Sequence, residues 1–383
     1  MNAKVIVAAL TAVCAPLMAA DGVASASTLD EAFLKGKHGG ALSAIATFGS
    51  EDDSYIYGHA DLYFNTASFR NIRANIGLSG IGIWWKDDAV GDIKDKSSLH
   101  TANIGYFADQ FTIAAGRQEF DLVLAPHHYQ AAYGELKISP QAKILAAYIK
   151  SIALPKYDAG RFFSDYAELN EDGVFALDAV LKAGDISVNP YVYFLPDVAF
   201  WAGGKFEFNQ LKTASGFALT GHLALSSEDS DSAEKDGFFL ELQGDVKLNA
   251  DLGFFGGFAL AGSDGLGSIG ASGKEWHRTG ANERANRINP FWDGGCQIFS
   301  QEALTLYAGA EFERDRLWAG AMLGVTDADS ETYSEINLRG EFAITRSFKA
   351  EAALITGKFG DDAPTAENPL SQTKIAGGVR YIF

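Results

Sequence analysis

The chain has 383 residues, a formal charge of −18, and a composition that is 47% hydrophobic and 12% aromatic. So acidic a balance excludes a nucleic-acid binder, whose affinity rests on neutralising phosphates. Cysteine occurs only at Cys14 and Cys296, which excludes a disulfide scaffold, and no Cys or His group has zinc-site spacing. No metal or other cofactor is expected.

Taken in order, Lys4 precedes an apolar run from Val5 to Ala20, and Ala24-Ser25-Ala26 follows. This is the charged, apolar and A-x-A sequence of a secretory signal peptide, so residues 1–26 are expected to be cleaved and 27–383 to form one domain. Residues 27–36, S-T-L-D-E-A-F-L-K-G, open with a capping-box pattern and predict a short helical lead-in. Beyond it no run approaches the ~18 apolar residues that a membrane helix needs. The 41 glycines, 27 phenylalanines and 14 tyrosines, against 9 prolines, suit strands joined by many turns.

Strands are predicted at 39–49, 54–66, 71–85, 98–107, 110–119, 129–138, 142–152, 173–183, 185–194, 198–208, 214–226, 237–248, 251–262, 303–313, 315–326, 332–344, 347–358 and 372–383. Their faces alternate. Phe238, Leu240, Leu242, Val246 and Leu248 interleave with Glu241, Gln243, Asp245 and Lys247, and Ile336, Leu338, Phe342 and Ile344 with Asn337, Arg339 and Glu341. A soluble sandwich would show the same period. The connections separate the two. Those after even strands, such as Ala108–Asp109, Gly184 and Arg314, are all short. Those after odd strands include Lys86–Ser97, Phe120–His128, Ala153–Asp172, Ser227–Asp236, Ser263–Glu302 and Phe359–Ser371. Short turns at one rim and longer loops at the other predict an all-β, transmembrane, antiparallel up-and-down barrel of 18 strands in a bacterial outer membrane. Gly295–Ser300 is assigned to the long seventh outer loop, because counting it as a strand would reverse that asymmetry.

The last strand ends in V-R-Y-I-F. Ile375, Val379, Tyr381 and Phe383 share an apolar face, and Lys374 and Arg380 lie on the other. It is expected to pair with the first strand near Gly39–Gly49, with Tyr381 and Phe383 serving closure and interfacial anchoring.

Two segments carry a family resemblance: Gly116-Arg117-Gln118-Glu119-Phe120-Asp121, and Thr28-Leu29-Asp30-Glu31-Ala32-Phe33 followed by Lys35-Gly36-Lys37. With these the chain resembles the OprD-like outer-membrane porins, particularly the Opr-type porins of epsilon-proteobacteria. The resemblance implies that the third outer loop, here Asp121 to Tyr129, folds into the lumen and narrows a channel. The run D-L-V-L-A-P-H-H-Y departs from that family's small residues and arginine, so the chemistry of the constriction is not carried across. The resemblance also implies that Phe383 is read by the barrel-assembly machinery.

A pore works through the field of its lining charges. Alternation places Arg73, Arg117, Lys205, Arg339, Lys349 and Arg380 as lumen cations, and Asp61, Asp178, Glu207, Glu241 and Glu341 as lumen anions. Asp121, His127 and His128 are candidates for the constriction. The two histidines are adjacent and so point oppositely on an extended chain, a poor metal pair. Gly262–Gly273 lacks the Lys-Ser/Thr of a phosphate loop, and no nucleophile motif occurs, so no enzyme is expected. The expected function is passive diffusion of small hydrophilic solutes. Lipid and lipopolysaccharide surround the barrel, which is monomeric or a homotrimer. Acidic loops suggest a cation preference, whereas the lumen cations suggest guidance of carboxylates. A surface adhesin with a blocked lumen and a soluble secreted β-protein remain as rival classes.

Overall fold

The computed structural model describes residues 24–49, 54–87, 96–123, 126–153, 155–156, 162–163, 167–168, 172–211, 215–230, 233–266, 301–328, 331–358 and 371–383. The segment before Ala24, the segment Gly295–Ser300 and Cys296 lie outside the described residues.

The lead-in is the expected helix, α1 (Leu29–Leu34). Thr28 Oγ1 accepts from the Glu31 amide at 3.2 Å, while the Glu31 carboxylate accepts from the amide and hydroxyl of Ser27 at 2.6 and 2.7 Å. These bonds satisfy amides that a helix start leaves without intrahelical partners. With the Lys35 ammonium beside it at 2.5 Å, and then Ser27, the exposed Glu31 carboxyl is pulled down to about 2. Phe33 stacks on Phe64 at 6.3 Å, and Ser25–Ala26 pair in parallel with Ser68–Phe69, so the lead-in rests against the barrel rim.

The wall has eighteen strands. In chain order they are β1 (Lys37–Gly49), β2 (Tyr55–Asn65), β3 (Ile72–Lys86), β4 (Lys96–Phe107), β5 (Phe111–Asp121), β6 (Pro126–Ser139), β7 (Ala142–Ala153), β8 (Val174–Ala183), β9 (Ile186–Leu195), β10 (Ala199–Asn209), β11 (Gly216–Ser230), β12 (Ala233–Lys247), β13 (Leu252–Ala261), β14 (Leu304–Arg314), β15 (Leu317–Ala328), β16 (Glu331–Ala343), β17 (Phe348–Lys358) and β18 (Ser371–Ile382). Each pairs antiparallel with the next, and β18 pairs with β1 from Ala41/Ile382 to Gly49/Lys374. Closure removes the unpaired strand edges that an open sheet would expose.

The faces follow the alternation. Phe175, Leu177 and Leu181 of β8, and Leu223 and Leu225 of β11, are exposed on the outside, while Asp178, His222 and Ser226 are buried on the inside. A charge on the outer face would cost about 2–4 kcal/mol at a bilayer midplane, which accounts for the apolar choice there. At one rim no connection is longer than residues 66–71. At the other the connections include 87–95, 154–173, 262–303 and 359–370.

Two expected loops prove to be mostly strand. β11 and β12 run on to Ser230 and from Ala233, so the expected loop Ser227–Asp236 contracts to residues 231–232. The expected third loop Asp121–Tyr129 contracts to residues 122–125, because Phe120 and Asp121 pair with His127 and Pro126.

Candidate functional site: an inward-folded hairpin and the wall it meets

The β5–β6 hairpin parts from β4 just beyond Gly116, while β6 stays paired with β7 as far as His128/Ala153. The β4–β5 ladder stops at Ala102/Arg117, although β4 continues to Lys96 and β5 to Asp121. Gly116 has φ +121°, a backbone state that a side chain strongly disfavours. A Cβ there would also stand 2.2 Å from the Ala102 carbonyl oxygen.

Where the tip goes follows from the registers. Ala131 is level with Ile149, and Ile149 with Val174 at the top of β8. Val123 lies eight residues beyond Ala131 along the hairpin, yet its amide donates to Asp178 Oδ2 at 2.9 Å, four residues below Val174. The tip therefore turns back and down across the inner wall. The third connection does fold into the lumen, as a tight hairpin rather than a long loop.

Both faces of this hairpin are covered. On one, Phe120 packs its ring 4.6 Å from Tyr129 and 5.1 Å from Tyr133, and Leu122 joins the same buried cluster. On the other, the Arg117 guanidinium donates to the Leu99 carbonyl of β4 at 3.1 Å, and the His128 ring lies 5.1 Å from His100. His100 in turn bonds Asp61 at 3.0 Å. Arg117 is half-buried and tied to β4 by its bond to Leu99. It occupies the seam between hairpin and wall, because β5 parts from β4 just beyond it. His128 belongs to the same seam. Asp121 and His127 take part in the hairpin ladder, and their side chains lie outside what is described.

Opposite the tip, the inner wall carries a connected run of polar and aromatic groups. Asp178 Oδ2 also accepts from the Tyr193 hydroxyl at 3.2 Å, and Tyr193 stacks on Tyr191 at 5.0 Å. The Tyr191 hydroxyl bonds His222 Nε2 at 2.9 Å. Lys205, His222 and Glu241 form one row across β10, β11 and β12. Tyr307 of β14 donates to Glu241 Oε1 at 2.7 Å and approaches Gln243 Oε1 at 3.1 Å.

The remaining expected cations face inward, each with a distinct neighbour. Lys205 is paired with Glu207 at 2.7 Å. Arg339 bridges Glu341 and Glu351 at 3.3 and 3.2 Å, two carboxylates that sit directly opposite each other on β16 and β17. Arg73 lies near the short-turn rim with its guanidinium 3.8 Å from the centre of the Phe107 ring, so it is distant from the hairpin tip. Lys349 and Arg380 are cross-strand partners at the same rim. Tyr381 and Phe383 face outward, stacked at 5.9 Å, and the Phe383 amide and carbonyl exchange bonds with Gly40 at 3.1 and 3.0 Å.

Alternation had marked Asp178, Glu241 and Glu341 as inward. It left His222, Tyr191, Tyr193 and Tyr307 unremarked, although the parity of Leu219, Gly221, Leu223 and Leu225 already turns His222 inward.

No protein-family model and no curated protein sequence matches the chain. Solved structures do. OpdK of Pseudomonas aeruginosa, crystallised with vanillate, superposes with a TM-score of 0.72 at 10% identity, covering 91% of this chain and 98% of its own. OccAB4 of Acinetobacter baumannii gives 0.71 at 12% identity, with 91% and 98% covered. OccD3 (OpdP) of Pseudomonas aeruginosa gives 0.69 at 10% identity, with 90% and 91% covered. The chain therefore has the closed eighteen-strand barrel fold of the OprD/Occ porins.

Proposed function

We propose that the chain is an outer-membrane porin, through which small hydrophilic solutes and ions diffuse passively along a loop-constricted aqueous path. The observation that carries this reading is the hairpin tip docked on the inner wall through Val123 and Asp178. A barrel of this strand number is wide enough for water, and a segment folded into it sets the bore. The apolar outer face and charged inner face fit a barrel with lipid outside and solvent within. The fold shared with OpdK, OccAB4 and OccD3 supports the same reading. Lipopolysaccharide and lipid are the surroundings such a barrel meets. Short turns would face the periplasm and long loops the cell exterior.

The test is to reconstitute the detergent-extracted chain in planar bilayers. Discrete, voltage-stable conductance steps are expected. Protein that migrates as a folded, heat-modifiable barrel yet gives no steps would replace this reading with a blocked-lumen surface protein.

A further inference from the structure

We infer that α1 is a membrane-surface anchor, whose Leu29, Phe33 and Leu34 side chains enter the lipid leaflet at the short-turn rim. The inference rests on the outer-membrane reading above and adds a lipid contact that the barrel wall itself does not make.

Three of the six residues of α1 are large and apolar, and the protein covers little of them. Leu29 is 60% exposed, Phe33 55% and Leu34 87%, whereas Ala32 is buried. Leu29 and Phe33 stand four residues apart and so share one face of the helix. A contiguous apolar patch left outside an ordered element marks a surface that something apolar covers.

The side of the wall on which α1 lies identifies the cover. Phe33 stacks on Phe64 at 6.3 Å with the rings 9° from parallel. Phe64 has the outward parity of Leu62 in β2, and Leu62 is exposed on the outer face. A Cβ at Gly36 would stand 2.5 Å from the Phe64 ring, so glycine lets the chain lie close against it. The Ala67 amide donates to the Ala32 carbonyl at 2.8 Å, which ties α1 to the short turn after β2. Leu42, Ile72, Tyr381 and Phe383 are exposed at the same outward rim, and Leu62 and Phe383 meet over Gly40. The apolar residues of α1 thus continue the lipid-facing band beside the closing seam, and that continuity favours lipid over a protein partner. The Glu31 carboxylate is turned back on Ser27 and Lys35, so its charge is met within the lead-in. Arg70, exposed at the adjoining turn, suits a lipid phosphate. A helix of this kind lies in the leaflet surface, about 5–10 Å into the headgroup boundary, without spanning it.

The test uses the full chain, isolated from outer membranes and reconstituted in vesicles of phosphatidylethanolamine and phosphatidylglycerol. Leu29→Cys and Leu34→Cys, each in a Cys296→Ser background, carry a nitroxide label and are checked for the heat-modifiable gel shift. Leu223→Cys and Asp109→Cys in the same background are references for the outer wall and for an exposed short turn. Collisions of each label with oxygen, which concentrates in lipid, are compared with collisions with a water-soluble nickel chelate. Labels at the Leu29 and Leu34 positions are expected to match the Leu223 reference, with an oxygen-to-nickel ratio several-fold above that of the Asp109 reference. Nickel-rich collisions at both α1 positions, with oxygen-rich collisions at the Leu223 position, would overturn the anchor and leave the outer-membrane reading intact. Shielding of both α1 labels from both reagents would also overturn it, since protein would then cover the patch. A nickel-accessible label at the Leu223 position would sink the outer-membrane reading, and the anchor with it.

Discussion

Two seams of the barrel invite comparison, because at each the wall could have ended. At β18–β1 the ladder runs unbroken from Ala41/Ile382 to Gly49/Lys374, and Phe383 and Gly40 extend it by two more bonds. At β4–β5 it covers only Phe107/Thr112 to Ala102/Arg117 and then opens. The first seam is stitched along its length by backbone bonds, which are indifferent to side-chain identity. The second exchanges backbone pairing for side-chain contacts: Arg117 on Leu99, His128 on His100, Val123 on Asp178. Closure thus depends on register and opening depends on particular residues.

The comparison is easiest to break at Gly116. Gly116→Val puts a branched side chain where φ is +121° and the Ala102 oxygen leaves no room. A loss of about 2–4 kcal/mol is expected, seen as a lower temperature for the heat-modifiable gel shift, with the β18–β1 seam unaffected in hydrogen exchange.

The lumen network gives a smaller effect. Removing Arg339 by Arg339→Met leaves Glu341 and Glu351 facing each other, at a cost of about 1–3 kcal/mol after allowance for lumen water. Equilibrium unfolding in urea from lipid vesicles would register it, and a further Glu351→Gln change should restore most of the loss.

A change at the closing seam is expected to act on yield rather than on the pore. Phe383→Ser should lower the amount of assembled barrel while the conductance of each assembled channel stays the same. Normal recovery of folded protein from outer membranes would count against that role for the aromatic.

The slightest effect belongs to the lead-in. The folded-state pKa of Glu31 is depressed to about 2 by Lys35 and Ser27, below its ordinary 4.5. Its contribution to α1 is therefore fully present above pH 4.5 and fades as pH falls towards 2. Amide exchange at Glu31 and Ala32 in detergent should quicken over that interval in the native chain and be insensitive to it in Glu31→Gln.

Much of the wall was legible in the sequence because a barrel strand has one apolar and one polar face, and the period of two survives throughout β8, β12 and β16. The same period misled at the third hairpin. Once β5 has parted from β4 both faces of the hairpin are covered, so adjacent His128 and Tyr129 are both buried and the alternation carries no information there. The Tyr193–Asp178 and Tyr307–Glu241 pairs were hidden differently. Tyr307 and Glu241 are 66 residues apart, and their meeting depends on how β12, β13 and β14 are registered rather than on any local pattern.

The central claim is that the docked hairpin sets the bore, and single-channel recording of Val123→Pro against the native chain tests it most directly. The substitution removes the amide hydrogen that Asp178 accepts, a bond to a charged group worth about 1.5–3 kcal/mol, and fixes φ at the same point of the tip. The account predicts larger or flickering conductance steps in the variant, with the barrel still folded by its gel shift. Steps of identical size and steadiness in both proteins would contradict it.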